Sequence, residues 1–374
     1  MDKHLHIVTH DVPWPVDYGG VFDLFYKIKI LHEQGIQIHL HCFINKNRTE
    51  QSILNRYCAS VHYYKRRQPF SSISFKIPWM VRSRYNKELI ARLQEDNHPI
   101  LLEGIHCTYP LYRKALRDRT VCVRLHNVEH LYYGALVQHE SNWAKKIYYF
   151  IESKLLRRYE QAICQMATVI PLSEKDAAYC THELKAKNVR FLPAFLPWKQ
   201  TESLTGNGNF CLYQGNLAIN ENEKAAQWLL EQVFHAMPIP FVIAGNHPSE
   251  ALQQLAHKMQ HTCIVVNPSD YEMEDLIKKA QINILPSFNQ TGIKLKLLNA
   301  MFNGRHCLAN PAAVEGSALT EGFATATDAD SFKEAIQQLF SEPFTETNKQ
   351  HRNAALQNVY DAQKNARALI EWLY

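Results

Sequence analysis

Twice along this chain a short apolar run gives way to a loop, an amphipathic stretch and another short apolar run, and that alternation limits the possible folds more than any other feature. The first cycle opens with an apolar strand at residues 5–9 and a loop with proline and glycine at 13–20. A helical pattern follows at 21–34, stops at Gly35, and leads into a second strand at 36–43. Strand, loop, helix, glycine, strand is the order of a parallel βαβ unit, in which ligands bind beyond the carboxyl ends of the strands. Further strands are expected at 100–102, Val121–Leu125 and Thr168–Pro171, with helices at 85–95 and 143–166. The pattern fails between 191 and 209, where Pro193, Pro197, Gly206 and Gly208 suggest a linker, disordered if anywhere near 201–209. A second cycle then places strands at 210–214, 241–244, Thr262–Val266 and Ile282–Leu285, and helices at 221–235, 250–259, 272–279 and Leu295–Asn303. The last helical stretch, 348–374, is expected to return to the first domain. The fold class is therefore α/β, with two Rossmann-like domains, 1–190 and 210–347, facing across a cleft. A chain of 374 residues suits two such cores better than one.

Composition narrows the function classes. Hydrophobic residues at 46% and charged residues at 21% exclude a disordered chain. The 9 cysteines are scattered through apolar runs without a CxxC pair, which reads as reduced core thiols in a cytoplasmic protein. No HExxH motif or zinc-spaced Cys/His cluster is visible, so no metal and no cofactor are expected. Residues 1–8 run directly into a strand without a signal-peptide pattern, and no window approaches the roughly 20 apolar residues of a spanning helix. The net charge is only +5, but Lys65, Arg66, Arg67, Arg82, Arg84, Lys145, Lys146, Arg157 and Arg158 all lie in the first half. Solvated faces account for such charges, and so does peripheral contact with an anionic membrane or a lipid-diphosphate acceptor. Nucleic acid is not expected, because no binding motif accompanies the charges.

The candidate chemistry gathers at strand ends. Leu285-Pro286-Ser287 closes a strand, and a polar turn ending in Thr291-Gly292 leads into a helix expected to begin near Ile293. The unpaired amides of a helix start, with Lys294 and Lys296 beside them, suit a diphosphate. Gly215-Asn216 and Gly245 follow two other strands of the same half, where a glycine lets backbone approach a phosphate closely. In the first half, Arg124, His126, Asn127 and Glu129 cluster at the end of the strand Val121–Leu125. His126 could orient or partly protonate a substrate oxygen, and Glu129 could hold a neighbouring hydroxyl or His126 itself. Gly19-Gly20, ahead of the first helix, offers similar backbone access.

Taken in order, these segments resemble the GT-B glycosyltransferases, specifically the bacterial retaining group called family 4. Gly19-Gly20 resembles the family's GG loop, and Arg124-Leu125-His126-Asn127-Val128-Glu129 its R-x-H-N-x-E segment. Leu212–Leu217 and Phe241–Gly245 are similar to its two glycine-ended strands. Leu285-Pro286-Ser287 with Thr291–Met301 and Gly304 is similar to P-S, then G-x-K-x-x-E-A-M-x-x-G. The resemblance implies transfer of a sugar from a nucleotide-diphosphate sugar to a hydroxyl of a glycan or lipid-linked acceptor, with retention, without an essential metal, in surface polysaccharide or lipopolysaccharide assembly. It makes Lys294 and Lys296 the stabilisers of the departing diphosphate and sets His126 toward sugar and acceptor. Gly215, Asn216, Gly245, Thr291, Gly292, Ile293 and Asn299 fall on the donor side, and Gly19, Gly20, Arg124, Asn127 and Glu129 on the acceptor side. Where the family carries two glutamates, this chain has Thr291 and Asn299. Two alternatives stay open: a catalytically weakened relative that binds nucleotide or glycan as an assembly partner, and a sugar-nucleotide epimerase of the same fold, for which Glu103 and Glu129 are the conspicuous strand-end carboxylates.

Overall fold

In a computed structural model, which describes every residue except 1, 46, 68–73, 75, 117, 290 and 291 and leaves aside the side chain of residue 139, the chain packs as two compact units. The first comprises Met1–Pro197 and Ala362–Tyr374, the second Trp198–Asp361.

The first unit holds β1 (His4–Thr9), β2 (Gln37–Ile44), β3 (Ser60–Lys65), β4 (Ile100–Glu103), β5 (Val121–Leu125) and β6 (Thr168–Pro171). They form a 6-stranded sheet in the order β3-β2-β1-β4-β5-β6, with all neighbours parallel. Parallel strands with crossover helices are covered on both faces, so their sequences run apolar without alternation. All residues of β4 and β5 are buried accordingly. The order reverses between β1 and β4, which makes the carboxyl ends of those strands the switch point where ligands of open α/β sheets bind.

The second unit repeats the plan with β7 (Cys211–Asn216), β8 (Phe241–Asn246), β9 (Thr262–Val266), β10 (Ile282–Leu285), β11 (His306–Ala309) and β12 (Ala324–Thr325). The order is β12-β11-β10-β7-β8-β9, again parallel, with its switch point between β7 and β10.

Three expectations are refined. The boundary between the units, Pro197/Trp198, falls within residues 191–209, read as the linker, but the residues on either side of it are not loose. Leu192 and Phe195 join the first unit's core, Thr201 and Ser203 are buried, and Gly206 bridges Phe344. The last helical stretch is two helices, Glu346–Tyr360 and Ala362–Leu373. Only the latter packs in the first unit, where Ala366, Leu369 and Leu373 bury against a core containing Leu24, Ile28 and Leu31. The helix after β10 spans Leu295–Asn303, as periodicity placed it, two residues beyond the Ile293 that the preceding turn suggested. Gly292 takes φ 68, in the left-handed region, and Lys294 is an extended N-cap, so the chain turns before the helix can start.

One buried feature couples this fold to pH. His6 bonds His41 (2.9 Å) and Asp96 (2.9 Å), and His41 bonds the Tyr64 hydroxyl (2.9 Å), so imidazoles link β1, β2 and β3. Burial holds His6, His10, His39, His41, His62 and His106 below the ordinary imidazole range, His39 at about 4. The unfolded chain binds protons at these sites near pH 6.5, whereas the folded chain resists them. Proton uptake on unfolding therefore makes stability fall as pH drops from about 6.5 toward the folded values. Urea midpoints measured between pH 7.5 and pH 5 are expected to fall steadily below about pH 6.5; a flat profile would mean that these rings titrate normally in the folded chain.

Candidate functional site

In the second unit, Lys296 sits in the first turn of the helix Leu295–Asn303, and its side chain reaches back to the end of β7. Its Nζ is 3.3 Å from the Tyr213 hydroxyl and 3.3 Å from Asn222 Oδ1, and lies over the Tyr213 ring at 4.7 Å. Among the described residues no carboxylate forms an ion pair with it. Burial, reinforced by the nearby Lys294 cation, pushes its ammonium down to about 8. Lys294 is also held below the ordinary lysine range by burial, with Glu221 and Glu315 opposing. The helix has no side-chain cap at its start, and the first amides of any helix lack partners within it. Two cations and a helix start thus converge near the β7 end, an arrangement suited to a polyanion.

The surrounding residues divide by role. A Cβ on Gly245 would lie 1.9 Å from the Gly215 carbonyl oxygen, so the close approach of β7 and β8 is what requires that glycine. A Cβ on Gly215 would meet only ordinary contacts, at 3.4 Å from the Asn222 side chain, so packing makes no such demand there. The Asn216 side chain accepts from Ala218 N (3.1 Å) and shapes the turn after β7. Asn299 Oδ1 accepts from the Asn303 amide (2.7 Å), leaving its own NH2 as the group that could meet a hydroxyl. Ile293 lies half-buried before the helix. Thr291 lies outside the described residues. Tyr213, Asn222 and Glu221 were not singled out from sequence, because nothing in their neighbours marks them as facing a lysine some 74 to 83 positions away.

In the first unit, four charged side chains and an imidazole form a buried network. Lys27 Nζ stands 2.9 Å from Asp23 Oδ2 and 2.8 Å from Glu103 Oε1. Arg124 contacts Asp23 Oδ1 at 3.1 Å and donates to the carbonyls of Leu192 (2.6 Å) and Pro193 (2.9 Å). Phe195 N also donates to Asp23 (2.8 Å). Burial opposes ionisation of both acids, but Arg124 and Lys27 hold Asp23 well below the usual carboxylate range, and Lys27 and His126 hold Glu103 below it. Arg124, expected on the acceptor side, is therefore a fully buried tie within the unit: its strand is covered on both faces, and only ionic partners make its burial tolerable.

His126 comes just beyond β5, and its Nε2 lies 3.0 Å from Glu103 Oε2. The partner is thus Glu103 rather than Glu129. A carboxylate only accepts, so Nε2 carries the hydrogen and Nδ1 is left as an acceptor for a substrate hydroxyl. Glu129 bonds the Asn127 side chain instead. Burial, with Glu160 adding like charge, pushes its carboxyl up to about 8, which keeps it largely protonated at neutral pH. The Glu160 carboxylate accepts from the Glu129 and His130 amides (2.8 and 3.2 Å), capping the helix Glu129–His139. Gly19 is the first residue of its helix, and a Cβ on Gly20 would stand 2.8 Å from the Tyr18 ring. His10 and His106 stack at 5.1 Å, both with Nδ1 buried and unpartnered among the described residues. A Cβ on Gly104 would stand 2.9 Å from His106 Nδ1 and 3.8 Å from His10 Nδ1, so the close packing of these rings requires that glycine.

Asp23, Glu103 and His126 place ligand atoms within 4.8 Å of one another, as a metal site does. The donor set does not fit an ion, however, because Lys27 and Arg124 already neutralise both carboxylates.

The chain has relatives among known proteins in both sequence and fold. Residues 208–342, which include the lysine-bearing helix, match the family described as Glycosyl transferases group 1. An uncharacterized 44.6 kDa protein in the cps region of Klebsiella pneumoniae is 28% identical over 84% of this chain and 85% of its own length. A glycosyltransferase from Rickettsia africae superposes with TM-score 0.65 at 13% identity, covering 99% of this chain and 97% of that one. Anabaena HepE, solved with UDP and glucose, gives TM-score 0.64 at 12% identity, covering 99% and 98%. This likeness shows the fold, and the chain has the GT-B fold.

Proposed function

We propose that the chain, whose residues 208–342 match Glycosyl transferases group 1, is a glycosyltransferase that moves a sugar from a nucleotide-diphosphate sugar to a hydroxyl of a glycan or lipid-linked acceptor during surface-polysaccharide assembly. The observation that carries the donor half of this reading is Lys296, a partly buried cation without a carboxylate partner among the described residues, beside Lys294 and an uncapped helix start. As the bond from the anomeric carbon to the diphosphate breaks, negative charge grows on the leaving oxygen, and cations already in place stabilise it without reorganising. His126, oriented by Glu103, supplies an acceptor nitrogen for a hydroxyl at the first unit's switch point. Retention at the anomeric carbon and independence of a metal belong to the same proposal, supported by the ordered resemblance of the motifs to family 4. The Klebsiella relative's cps region supports a polysaccharide product.

A thermal-shift screen of nucleotides and nucleotide sugars tests this directly. A ligand at 100 times its dissociation constant is expected to add about 2.7 kcal/mol of stability. A response to at least one of the UDP, GDP, ADP or dTDP series is expected. Silence across all four would remove the donor assignment and favour a relative that has lost nucleotide binding.

A further inference from the structure

The helix Trp143–Cys164 is apolar on two faces, and only one of them has a protein partner. Leu156, Tyr159, Ile163 and Cys164 bury against the first unit's core, together with Glu152, whose carboxylate accepts from Met80 N (2.9 Å). On another face, Trp143, Ile147, Phe150 and Ile151 stand 74%, 51%, 54% and 50% exposed. Their spacing of i, i+4, i+7 and i+8 is that of a stripe meant to be covered. Leu131 (43%) and Tyr132 (39%), from the preceding helix Glu129–His139, add to the exposed apolar surface of this helix pair. Scattered exposed apolar residues need no explanation, but a contiguous stripe of large ones marks an interaction surface.

The charges say what covers it. Lys145, Lys146, Lys154, Arg157 and Arg158 are all exposed on the same helix, whereas its acids, Glu152 and Glu160, are both buried. Among the described residues none of these five cations forms an ion pair with a carboxylate. A groove of about 530 Å³ beside Phe150 and Ile151 has Lys154, Arg157 and Arg158 in its wall. A second copy of the chain laid against this face would bring cations against cations. A bilayer with anionic headgroups would instead take the aromatic and aliphatic tips into its interfacial layer and pair the cations with phosphates. No helix among the described residues is long and apolar enough to cross a membrane, so the contact lies in the plane of the surface.

We infer that the helix pair Glu129–His139 and Trp143–Cys164 is a docking surface for an anionic lipid bilayer, with Trp143, Ile147, Phe150 and Ile151 inserting and Lys145, Lys146, Lys154, Arg157 and Arg158 binding headgroups. This deepens the reading of a lipid-linked acceptor and rests on it for its biological purpose. The binding itself is measured without substrate, so it can fail while nucleotide binding holds, and the reverse.

The experiment is flotation of the full chain with vesicles of phosphatidylcholine alone or with about one third phosphatidylglycerol. Two variants accompany it: Trp143→Ser/Ile147→Ser/Phe150→Ser, and Lys145→Glu/Lys146→Glu. The altered side chains are exposed and outside the core, so both variants are expected to fold, which an unchanged melting temperature confirms. The wild type is expected to bind the anionic vesicles at least roughly tenfold better than the neutral ones, and each variant to lose roughly tenfold or more. Equal binding to both vesicle types, or undiminished binding by the variants, overturns the inference. So does light scattering that shows a wild-type dimer converted to monomer by the serine variant, since a second copy would then be the occupant.

Discussion

Arg124→Met is expected to destabilise the first unit by about 3–5 kcal/mol, the cost typical of removing one partner from a buried ion pair. The side chain is fully buried, and it serves Asp23 and the carbonyls of Leu192 and Pro193 at once. Without it, Asp23 keeps Lys27 and the Phe195 amide, but the carbonyls lose their donor and the network gains a net negative charge. Equilibrium unfolding in urea, followed by a probe confined to the first unit, measures the loss. Asp23→Leu/Arg124→Met removes both charges together and should cost less than the sum of the single changes, because neither partner is left stranded. A single-variant loss below about 1 kcal/mol would mean that water replaces the guanidinium, and the network would then not be the buried tie described here. The effect extends to the site, since Lys27 pairs with both Asp23 and Glu103, and Glu103 orients His126.

That network shows where the sequence was legible and where it was not. The Val121–Leu125 strand and the turn carrying His126 were readable from apolar patterning followed by polar residues. Adjacency in sequence then grouped Arg124 with the site. Its burial could not be read from one strand, because the strand is covered on both faces and the partner, Asp23, is 101 positions away. A signal did exist at Asp23 and Lys27, an i, i+4 charged pair on a helix whose neighbouring Leu24, Phe25 and Ile28 are all core, where unpaired charge is not tolerated. In the second unit, strand positions and the helix Leu295–Asn303 followed from periodicity. β11 escaped, since four residues between Arg305 and Asn310 carry too little pattern to stand out. β3 escaped because five of its six residues are only half-buried or exposed and the strand lies at the sheet edge. Strand order, and with it the two switch points, depends on long-range pairing that local patterning does not encode.

Lys296→Ala is expected to lower kcat/KM with the nucleotide sugar by on the order of 10²–10³, the loss typical when one preorganised stabiliser of developing charge is removed. The argument rests on what the site has done to this lysine. Its ammonium touches a phenol hydroxyl, an amide oxygen and an aromatic face, all weaker partners than a carboxylate, and burial with the neighbouring Lys294 lowers it to about 8. A diphosphate supplies the missing counter-charge, so binding raises the lysine's affinity for its proton. By linkage, nucleotide-diphosphate affinity is then full below pH 8 and falls as pH rises through that value, approaching tenfold per unit above it. Calorimetry with UDP or GDP between pH 7 and pH 9.5 measures this decline. Lys296→Ala should bind more weakly at every pH and lose the component of the slope that begins near 8, while Lys296→Arg, always charged, should keep part of the affinity without that component. The variant's residual affinity measures what Lys294 and the helix amides contribute without Lys296. An alanine variant that matches the wild type in affinity, rate and pH profile would show that the ammonium above Tyr213 is a packing feature, and the diphosphate would have to be sought elsewhere in the molecule.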